Sequence, residues 1–578
     1  MTEHVEPARH APYLPRYSDP KDIEDFVTKL ESFERSELTA EQFRAFRLQR
    51  GVYGQRQDGV QMLRVKIPYG LVGPEQLEAL ADVADNWGHG IGNVTTRQNV
   101  QFHFVQMKDI EPAMRRLDEA GLTTREACGN TARTVTGCEV AEVCKAAPFD
   151  ISPYAESLTR YFLRHPLSGG LPRKFKTAFS GCASDCAMTQ INDLGFIATV
   201  KNGEPGFIVV AAGGLSTSPQ AAITLHEFVH PGEIARIGEA ILRLFNRLGN
   251  RDNKHRARLK YVLRKLGEAK FRETYAQIRA EVDAEAAAEL KLPEAPSRTP
   301  APPVEAPEER PAGFLAWRAS AVVDQKQDGY AAVYIRLQHG ELSSKDLRGL
   351  ARIVGRFGDG SVRLTIDQNA LLSWVHQKSL PALYAALTEL GLTRTGVHTA
   401  RDVVACPGAE SCNLAVTSSR ALGAAITARL EEDDARELAA SVDTSIKISG
   451  CPNSCGQHHV ADLGFHGGAK SFGNVTVPVY QLHLGGGVDE NGARFGRQVV
   501  KIIARRVPEA VVLLMKLYET DRKEGERPRQ FFQRVDPKRV TAALASLAGP
   551  PAAGEHEEAD IGEERGFVVD LKEGECAA

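Results

Sequence analysis

Four cysteines in the second half of the chain have the spacing of a metal-cluster site. Five residues separate Cys406 from Cys412, three separate Cys451 from Cys455, and thirty-eight lie between the two pairs. A four-iron cluster needs four thiolates that converge on one cube, and two local pairs on separate loops supply them. A structural zinc site is a competing interpretation, although zinc usually prefers a C-x2-4-C spacing in both pairs. A disulfide pair is a further alternative.

The first half of the chain carries a second set of four cysteines with the same pattern. Cys138 and Cys144 are again separated by five residues and Cys182 and Cys186 by three, with thirty-seven residues between the pairs. Four free thiols at ligand spacing would be open to oxidation. We therefore predict a second 4Fe-4S cluster, against the alternative that these cysteines are reduced, unligated relics.

Four basic residues of the first half have side chains suited to a small oxyanion, because Arg offers a rigid fork of donors and Lys a transferable proton. Arg97 lies in NVTTRQNVQFHFV, whose alternation predicts a strand with one apolar and one polar face. From that pattern alone, a solvent-facing polar strand is the preferred interpretation. Arg133 precedes Cys138 by five residues, and Lys174 and Lys176 lie in LPRKFKTAF. Taken singly, each is most simply a solvated surface charge.

The elements that carry these residues occur twice. TARTVTGCEVAEVC at 131–144 matches TARDVVACPGAESC at 399–412, and DLGF at 193–196 recurs at 462–465. The offsets are 268 and 269 residues, so the register is held through separate motifs. Each copy begins with segments that alternate between strand and helix periodicity, and a proline-rich stretch separates the copies. The chain is therefore an internal duplication, with a period far too long for a solenoid.

The bulk composition is that of an ordinary globular protein. The chain has 578 residues, 42% hydrophobic and 25% charged, with a formal net charge of −3. This length indicates several domains, and the near-neutral balance argues against nucleic acid as the main partner. The N-terminus lacks an apolar signal region and no stretch is apolar enough for a bilayer, which predicts a cytoplasmic protein. In that reducing compartment cysteines are ligands more often than disulfides. Cys128 and Cys576 have no spaced partner and no assigned role.

The second-half cysteines, with Pro452 and Asn453 inside the second pair, resemble those of the siroheme nitrite and sulfite reductases. The resemblance covers roughly residues 45–545. It implies that all four hold a 4Fe-4S cluster, that Cys455 also bridges to the siroheme iron, and that Asn453 lies at the cofactor. Most single-chain members keep cluster cysteines only in the second half. The first-half set is instead similar to that of the dissimilatory sulfite reductases, which slightly favours sulfite as the substrate.

The same resemblance assigns roles to the basic residues. TTRQN and NTARTV are similar to the segments that supply two active-site arginines, here Arg97 and Arg133, and PRKFKT to the segment that supplies two lysines, here Lys174 and Lys176. Glycine clusters permit close approach of a flat cofactor, and in HLGGGV we assign this role to Gly485 and Gly486. The basic run at 250–272 is equally compatible with a solvated face and with a surface for the siroheme carboxylates.

The predicted fold is α+β, with two ferredoxin-like (βαβ) half-modules and two mixed α/β cofactor-binding modules related by pseudo-twofold symmetry. We name the segments the N-terminal arm and helices (1–50), the first half-module (51–124), the first cofactor module for siroheme and the anion (125–282), the proline-rich linker (283–312), the second half-module (313–395), the second cofactor module for the 4Fe-4S cluster and siroheme (396–548), and an acidic, disordered tail (549–578).

The predicted function is the six-electron reduction of sulfite to sulfide or of nitrite to ammonia. No flavin or nicotinamide motif is evident, so an external donor such as ferredoxin or a flavoprotein is implied. The alternatives are a non-catalytic multi-cluster electron-transfer protein and a zinc-stabilised binding protein. In the duplicated mirror site Arg97, Lys174 and Lys176 correspond to Asp367, Asp443 and Ser445. Carboxylates repel an oxyanion, so we predict one active site.

Overall fold

The N-terminal arm folds into two capped helices, α1 (Pro20–Glu34) and α2 (Ala40–Gln49). Asp19 begins the first by accepting a hydrogen bond from the Lys21 amide, and the Thr39 side chain caps the second. Such caps bond amides that a helix leaves unpaired in its first turn. The computed structural model describes residues 14–285, 291–293, 300–305, 311–552, 554, 556–570 and 574–575.

The first repeat consists of the first half-module followed by the first cofactor module. The half-module is formed by β1 (Val52–Gly54), β2 (Val60–Val65), β3 (Leu71–Val72), α3 (Pro74–Trp87), β4 (Ile91–Val94), β5 (Val100–Gln106) and α4 (Ile110–Glu119). The cofactor module is formed by β6 (Thr136–Gly137), α5 (Ser152–Phe162), β7 (Thr177–Ser180), β8 (Leu194–Lys201), β9 (Glu204–Ala211), β10 (Ile223–Val229), α6 (Ile234–Leu248), α7 (Leu259–Leu266) and α8 (Glu268–Glu285).

The second repeat keeps the same order of strands, with an added helix and an added two-stranded hairpin in its cofactor module. Its half-module is formed by α9 (Phe314–Ala321), β11 (Val322–Asp324), β12 (Tyr330–Ile335), β13 (Glu341–Ser343), α10 (Ser344–Phe357), β14 (Val362–Leu364), β15 (Ala370–His376) and α11 (Leu380–Glu389). Its cofactor module is formed by β16 (Val404–Ala405), α12 (Ser419–Leu430), α13 (Asp433–Ser441), β17 (Ile446–Ser449), β18 (Leu463–Phe472), β19 (Val475–Leu484), β20 (Gly487–Asp489), β21 (Gly492–Arg494), β22 (Arg497–Ile503), α14 (Val507–Asp521), α15 (Pro528–Arg534) and α16 (Pro537–Ala543).

The two half-modules complete each other's sheets. One sheet has the order β1-β2-β5-β4-β13 and the other β11-β12-β15-β14-β3, so each edge strand comes from the other repeat. Leu342 pairs with Gly92 on one side, and Val72 with Val362 on the other. A single hydrophobic core runs through both half-modules, while each cofactor module has its own. The predicted α+β class and its duplication are confirmed.

Each cofactor module holds a five-stranded mixed sheet. The orders are β6-β7-β8-β9-β10 and β16-β17-β18-β19-β22, and the first two pairings in each are parallel. The first cysteine pair of each module follows β6 or β16, and the second pair follows β7 or β17. Because adjacent parallel strands end at the same edge of a sheet, the topology brings the two pairs of a module together.

Described residues of the C-terminal tail form specific contacts with the rest of the chain, which differs from the predicted disorder. Glu557 is buried and forms an ion pair with Arg506 at 2.6 Å, and Asp560 accepts a hydrogen bond from the Ser418 amide at 2.7 Å. These carboxylates pair with groups of the second cofactor module, which accounts for an ordered acidic segment. Cys576 lies outside the described residues. Within the described ranges, none of the helices combines the length and apolarity needed to cross a membrane.

Candidate active site

The four second-half cysteines lie close together at the end of the parallel strands. Cys451 is buried, and its pKa is raised first by burial and then by the neighbouring charges of Cys455, Cys406 and Cys412. The Gly450 amide donates a hydrogen bond to Cys406 Sγ at 3.3 Å. Amide donors of this kind stabilise a thiolate. None of the nine described cysteines forms a disulfide, so among these residues the disulfide alternative is not realised.

Arg97 lies in the turn between β4 and β5, where its guanidinium points into the first cofactor module. It donates hydrogen bonds to Asn192 Oδ1 at 2.9 Å, to the Thr177 carbonyl at 3.2 Å and to the Thr134 carbonyl. Its Nε is buried and has no partner. Burial, and next the charge of Arg133, lower the pKa of Arg97, although an arginine stays charged at neutral pH.

The strand after Arg97 does not have the solvent-facing polar side that its alternation indicates. Gln101 and His103 are both buried on β5. The reason is that β5 is an interior strand with β2 on one side and β4 on the other, and both of its faces are covered. The preferred surface interpretation of this segment is therefore wrong.

The other three basic residues lie beside Arg97. Ala132 and Phe175 form a parallel bridge, which places Arg133 next to the segment that carries Lys174 and Lys176. Burial lowers the pKa of Lys176 well below its usual value, and the nearby charges of Arg97, Arg258 and Lys174 act in the same direction. A lysine in such surroundings gives up its proton readily.

The Arg133 side chain has a different environment from that of Arg97. Its guanidinium donates to the Gly129 carbonyl at 2.7 and 3.0 Å and to the Ala127 carbonyl at 3.0 Å. These bonds hold its guanidinium against the loop at 127–129, outside the sites of the first cofactor module that hold Arg97.

A cavity between the repeats brings the basic residues to the last cysteine. Its lining includes Arg97, Lys176 and Asn192 from the first repeat and Ser454, Cys455 and Gln457 from the second. Thr96 Oγ1 donates to the Cys455 carbonyl at 3.0 Å, which fixes the Arg97 turn against the cysteine loop. Arg133 and Lys174 lie near this cavity without lining it. The site is thus composite, and Cys455 is exposed within it.

Several residues of the site have no signal in the local sequence. Asp193 accepts a hydrogen bond from the Lys176 amide at 2.9 Å and forms a buried ion pair with Arg258 at 2.7 Å. Lys260 is buried and donates to two carbonyls, those of Leu215 and Ser218, each at 2.6 Å. The basic run at 250–272 therefore divides between inward residues and a solvated face. The DLGF motif that contains Asp193 is repeated at 462–465, but this repetition does not indicate the partners of Asp193.

Close contacts within the protein explain why glycine occupies the two positions that the sequence assigns to a flat cofactor. A Cβ at Gly485 would lie 2.6 Å from the Gln533 amide nitrogen, and one at Gly486 would lie 2.1 Å from the His459 carbonyl. The close approach that these glycines permit is to backbone of the second cofactor module, which differs from the predicted approach to a cofactor. Asn453 lies nearer to the site, where its Oδ1 accepts a hydrogen bond from Ser216 of the first repeat at 3.3 Å.

At the mirror position a carboxylate takes the place of the Arg97 guanidinium. Asp367, the counterpart of Arg97, is paired with Lys447 at 2.7 Å. Burial alone would raise the pKa of Asp367, but Lys447 and His398 outweigh it and lower the value. Lys447 has Ala178 as its counterpart in the first repeat and also donates to Gln457 at 3.1 Å. The charged groups at the mirror position thus satisfy one another.

Two of the four first-half cysteines, Cys138 and Cys186, are in direct contact in the structure. A hydrogen bond to Cys186, and next burial, raise the pKa of Cys138, which places these two thiols side by side. Cys144 and Cys182 are half-buried on the neighbouring loops. The arrangement follows the same strand topology as the second half, and a cluster at this site stays a prediction.

Comparison with known protein families covers most of the chain. The nitrite and sulphite reductase 4Fe-4S domain matches residues 128–283 and again 396–548. The nitrite/sulfite reductase ferredoxin-like half domain matches residues 53–120 and 323–390. Both matches occur once in each repeat, as the duplication requires.

Individual relatives match over nearly the whole chain. A sulfite reductase (ferredoxin) of Mycobacterium tuberculosis (strain CDC 1551 / Oshkosh) is 30% identical over 566 residues, 92% of this chain and 96% of the relative. A ferredoxin–nitrite reductase of Synechococcus elongatus is 31% identical over 464 residues, 78% of this chain and 85% of the relative. The solved structure of the Mycobacterium tuberculosis NirA protein matches with a TM-score of 0.75 at 28% identity, covering 90% of this chain and 97% of that one.

Proposed function

This chain belongs to the nitrite and sulphite reductase family, and on that premise we propose that it reduces sulfite to sulfide or nitrite to ammonia by six electrons. The observation that carries the proposal is the composite cavity, in which Arg97 and Lys176 of the first repeat face Cys455 of the second. Cationic groups opposite a cysteine ligand match a site that binds an oxyanion next to an iron centre.

The residues present fit the two cofactors that we propose. The thiols of the four second-half cysteines are close enough to interact electrostatically, as the ligands of one 4Fe-4S cluster must be. These are Cys406, Cys412, Cys451 and Cys455. The cationic surroundings of the cavity suit the carboxylates of siroheme, with Cys455 as the shared ligand. When bound, siroheme coupled to the cluster would supply the electrons that reduce the oxyanion.

The residues of the first repeat bind the substrate and move protons. Arg97 is held by Asn192 and by backbone carbonyls, so its fork is fixed before the oxyanion arrives. The lowered pKa of Lys176 makes its ammonium a ready proton donor, and reduction of either oxyanion consumes protons. Arg133 and Lys174 contribute further positive charge. The Asp193 carboxylate orients Lys176 through its amide.

The electron donor that we propose is ferredoxin. The support is that the relatives from Mycobacterium tuberculosis and Synechococcus elongatus both carry ferredoxin in their names. An external donor is also consistent with the absence of a flavin or nicotinamide motif in the sequence.

The visible absorption spectrum of the purified protein tests the proposal. We expect the resolved Soret-type and longer-wavelength bands of a tetrapyrrole, superimposed on the broad absorption of an iron–sulfur cluster. A broad shoulder alone would instead indicate a multi-cluster electron-transfer protein. A protein with neither feature, and with zinc at the cysteines, would be a zinc-stabilised binding protein. Steady-state kinetics with each oxyanion then identify the preferred substrate.

A further inference from the structure

Three histidines of the second cofactor module form a compact triangle outside the candidate active site. His458 lies in the turn after the Cys455 loop, His466 on β18 and His483 on β19. The centroids of their rings are 4.9, 4.8 and 4.9 Å apart. One ring nitrogen from each can be chosen so that all three lie within 4.8 Å of one another. The rings therefore converge on one point.

The strand register explains the convergence. Gly464 pairs with His483 and His466 pairs with Gln481, so His466 and His483 are diagonal neighbours on the same face of the sheet. The His458 carbonyl lies directly over Gly464, where a Cβ would come within 1.9 Å of it, so this turn is pressed onto that face. Backbone geometry thus holds the third imidazole above the other two.

The ring nitrogens lack the partners that buried polar groups normally have. His458 is fully buried, and neither of its ring nitrogens has a hydrogen-bond partner. His483 is 1% exposed, and its Nε2 lies 2.7 Å from His466 Nδ1. Unsatisfied buried polar atoms cost free energy and call for an explanation such as an ion.

The first repeat shows what the same positions look like without this cluster. By the repeat offset and the strand pairing, the counterparts of His458, His466 and His483 are Thr189, Ile197 and Val210. Aliphatic and small side chains thus fill this space in a module of the same fold. Three histidines are not needed to complete the core, and their presence in one repeat indicates an added role.

We propose that His458, His466 and His483 bind a divalent transition metal of the zinc class. Three neutral imidazoles are a common ligand set for Zn²⁺, and the metal leaves a fourth position for water. Ligands of one zinc ion with bonds of about 2.0–2.1 Å lie roughly 3.3 Å apart, so His466 and His483 separate slightly on binding. His466 is half-buried and gives the ion a path from solvent. The metal would clamp the turn that follows Cys455 to the sheet.

Elemental analysis of the holoenzyme, purified without a histidine tag, tests this proposal. We expect about one zinc per chain in addition to the iron of the cofactors. His466→Ile and His483→Val copy the first repeat, which makes them compatible with folding, and each should lower zinc at least about tenfold at unchanged iron content. His459→Gln copies Gln190 and should keep the zinc, since His459 bonds the Ser216 carbonyl and lies outside the triangle.

Zinc titration of the wild-type protein provides a second readout that does not depend on the variants. After dialysis against a chelator, added zinc chloride should raise the Tm of the wild type and leave that of His466→Ile unchanged. The proposal is overturned if the wild type contains no zinc and shows no zinc-dependent Tm shift. It is equally overturned if His466→Ile and His483→Val both bind zinc as the wild type does.

Discussion

We propose that Arg97 and Lys176 have different roles in the composite cavity. Arg97 is bonded to Asn192 and to carbonyls of the first cofactor module, so it is a fixed fork. Burial and the charges of Arg97, Arg258 and Lys174 lower the pKa of Lys176, which supports the role of proton donor that we propose for it. Their roles differ because an arginine keeps its charge whereas a buried lysine titrates. Substitution of the lysine should therefore affect both binding and turnover.

Lys176→Ala should leave the cofactor spectrum intact, weaken oxyanion binding and slow turnover. Loss of one charge-assisted contact in a desolvated site costs about 1.5–3 kcal/mol, or roughly ten- to hundredfold in kcat/KM. Steady-state kinetics of the spectrally matched proteins measure the effect. Lys201→Ala is the control, because Lys201 is exposed at the end of β8. Loss of cofactor from Lys176→Ala, with normal substrate kinetics in the remaining holoenzyme, would make Lys176 structural.

A site residue can be predicted from the sequence when the pattern that indicates it lies among its neighbours in the chain. The cysteine pairs are local, and they lie together because they follow neighbouring parallel strands. The partners of Arg97 and Asp193 are not local, since Asn192 is 95 residues from Arg97 and Arg258 is 65 residues from Asp193. Nothing near Gln101 indicates that strands on both sides bury it. These contacts arise only when the sheet of the first half-module forms and packs against the first cofactor module.

At the scale of elements, the exchange of β3 and β13 joins the two half-modules. Each exchanged strand is preceded by a glycine with positive φ, Gly70 at +75° and Gly340 at +78°. A Cβ at Gly340 would lie 2.4 Å from the Val94 carbonyl, and one at Gly70 would lie 2.1 Å from that of Leu364. Strands this short carry no readable periodicity. The sequence predicts the half-modules and their symmetry, but not this exchange.

Gly340→Ala should destabilise the protein more than Gly329→Ala does. Gly329 has φ of +83°, and an added Cβ there would meet no atom within 4 Å, so it is a matched control for backbone strain alone. That strain costs about 1–2 kcal/mol, and overpacking against the Val94 carbonyl should add about 1–3 kcal/mol at Gly340. Urea unfolding of both variants measures the difference. Equal losses of stability in the two variants would show that Gly340 is not tightly packed against the Val94 carbonyl.

At the scale of the whole molecule, the duplication has become asymmetric. The composite cavity takes Cys455 from the second repeat and Arg97 and Lys176 from the first. At the mirror position Asp367 and Lys447 neutralise each other. Arg133 and Lys176 nevertheless lie upstream of the first-half cysteines, so a cluster there would help to position the substrate-binding residues. We propose that the first-half cysteines hold such a structural cluster.

Cys182→Ser should lower the iron content by about four atoms per chain and lower the Tm. Activity per siroheme should fall only in part, through misplacement of Lys174 and Lys176. Iron and sulfide analysis decides the question. Cys128→Ser is the control, because Cys128 belongs to neither set of four and its replacement should leave iron unchanged. Unchanged iron in Cys182→Ser would mean that the first-half cysteines are relics.

The central claim is that one active site lies between the repeats, at Cys455. Its most direct test is the rate of sulfite and nitrite reduction by Cys455→Ser and by Cys186→Ser, the same substitution at the mirror position. We expect no turnover of either oxyanion in Cys455→Ser, because both the cluster and its coupling to siroheme are lost, and substantial turnover in Cys186→Ser. Wild-type turnover in Cys455→Ser, or complete loss in Cys186→Ser alone, would contradict the claim.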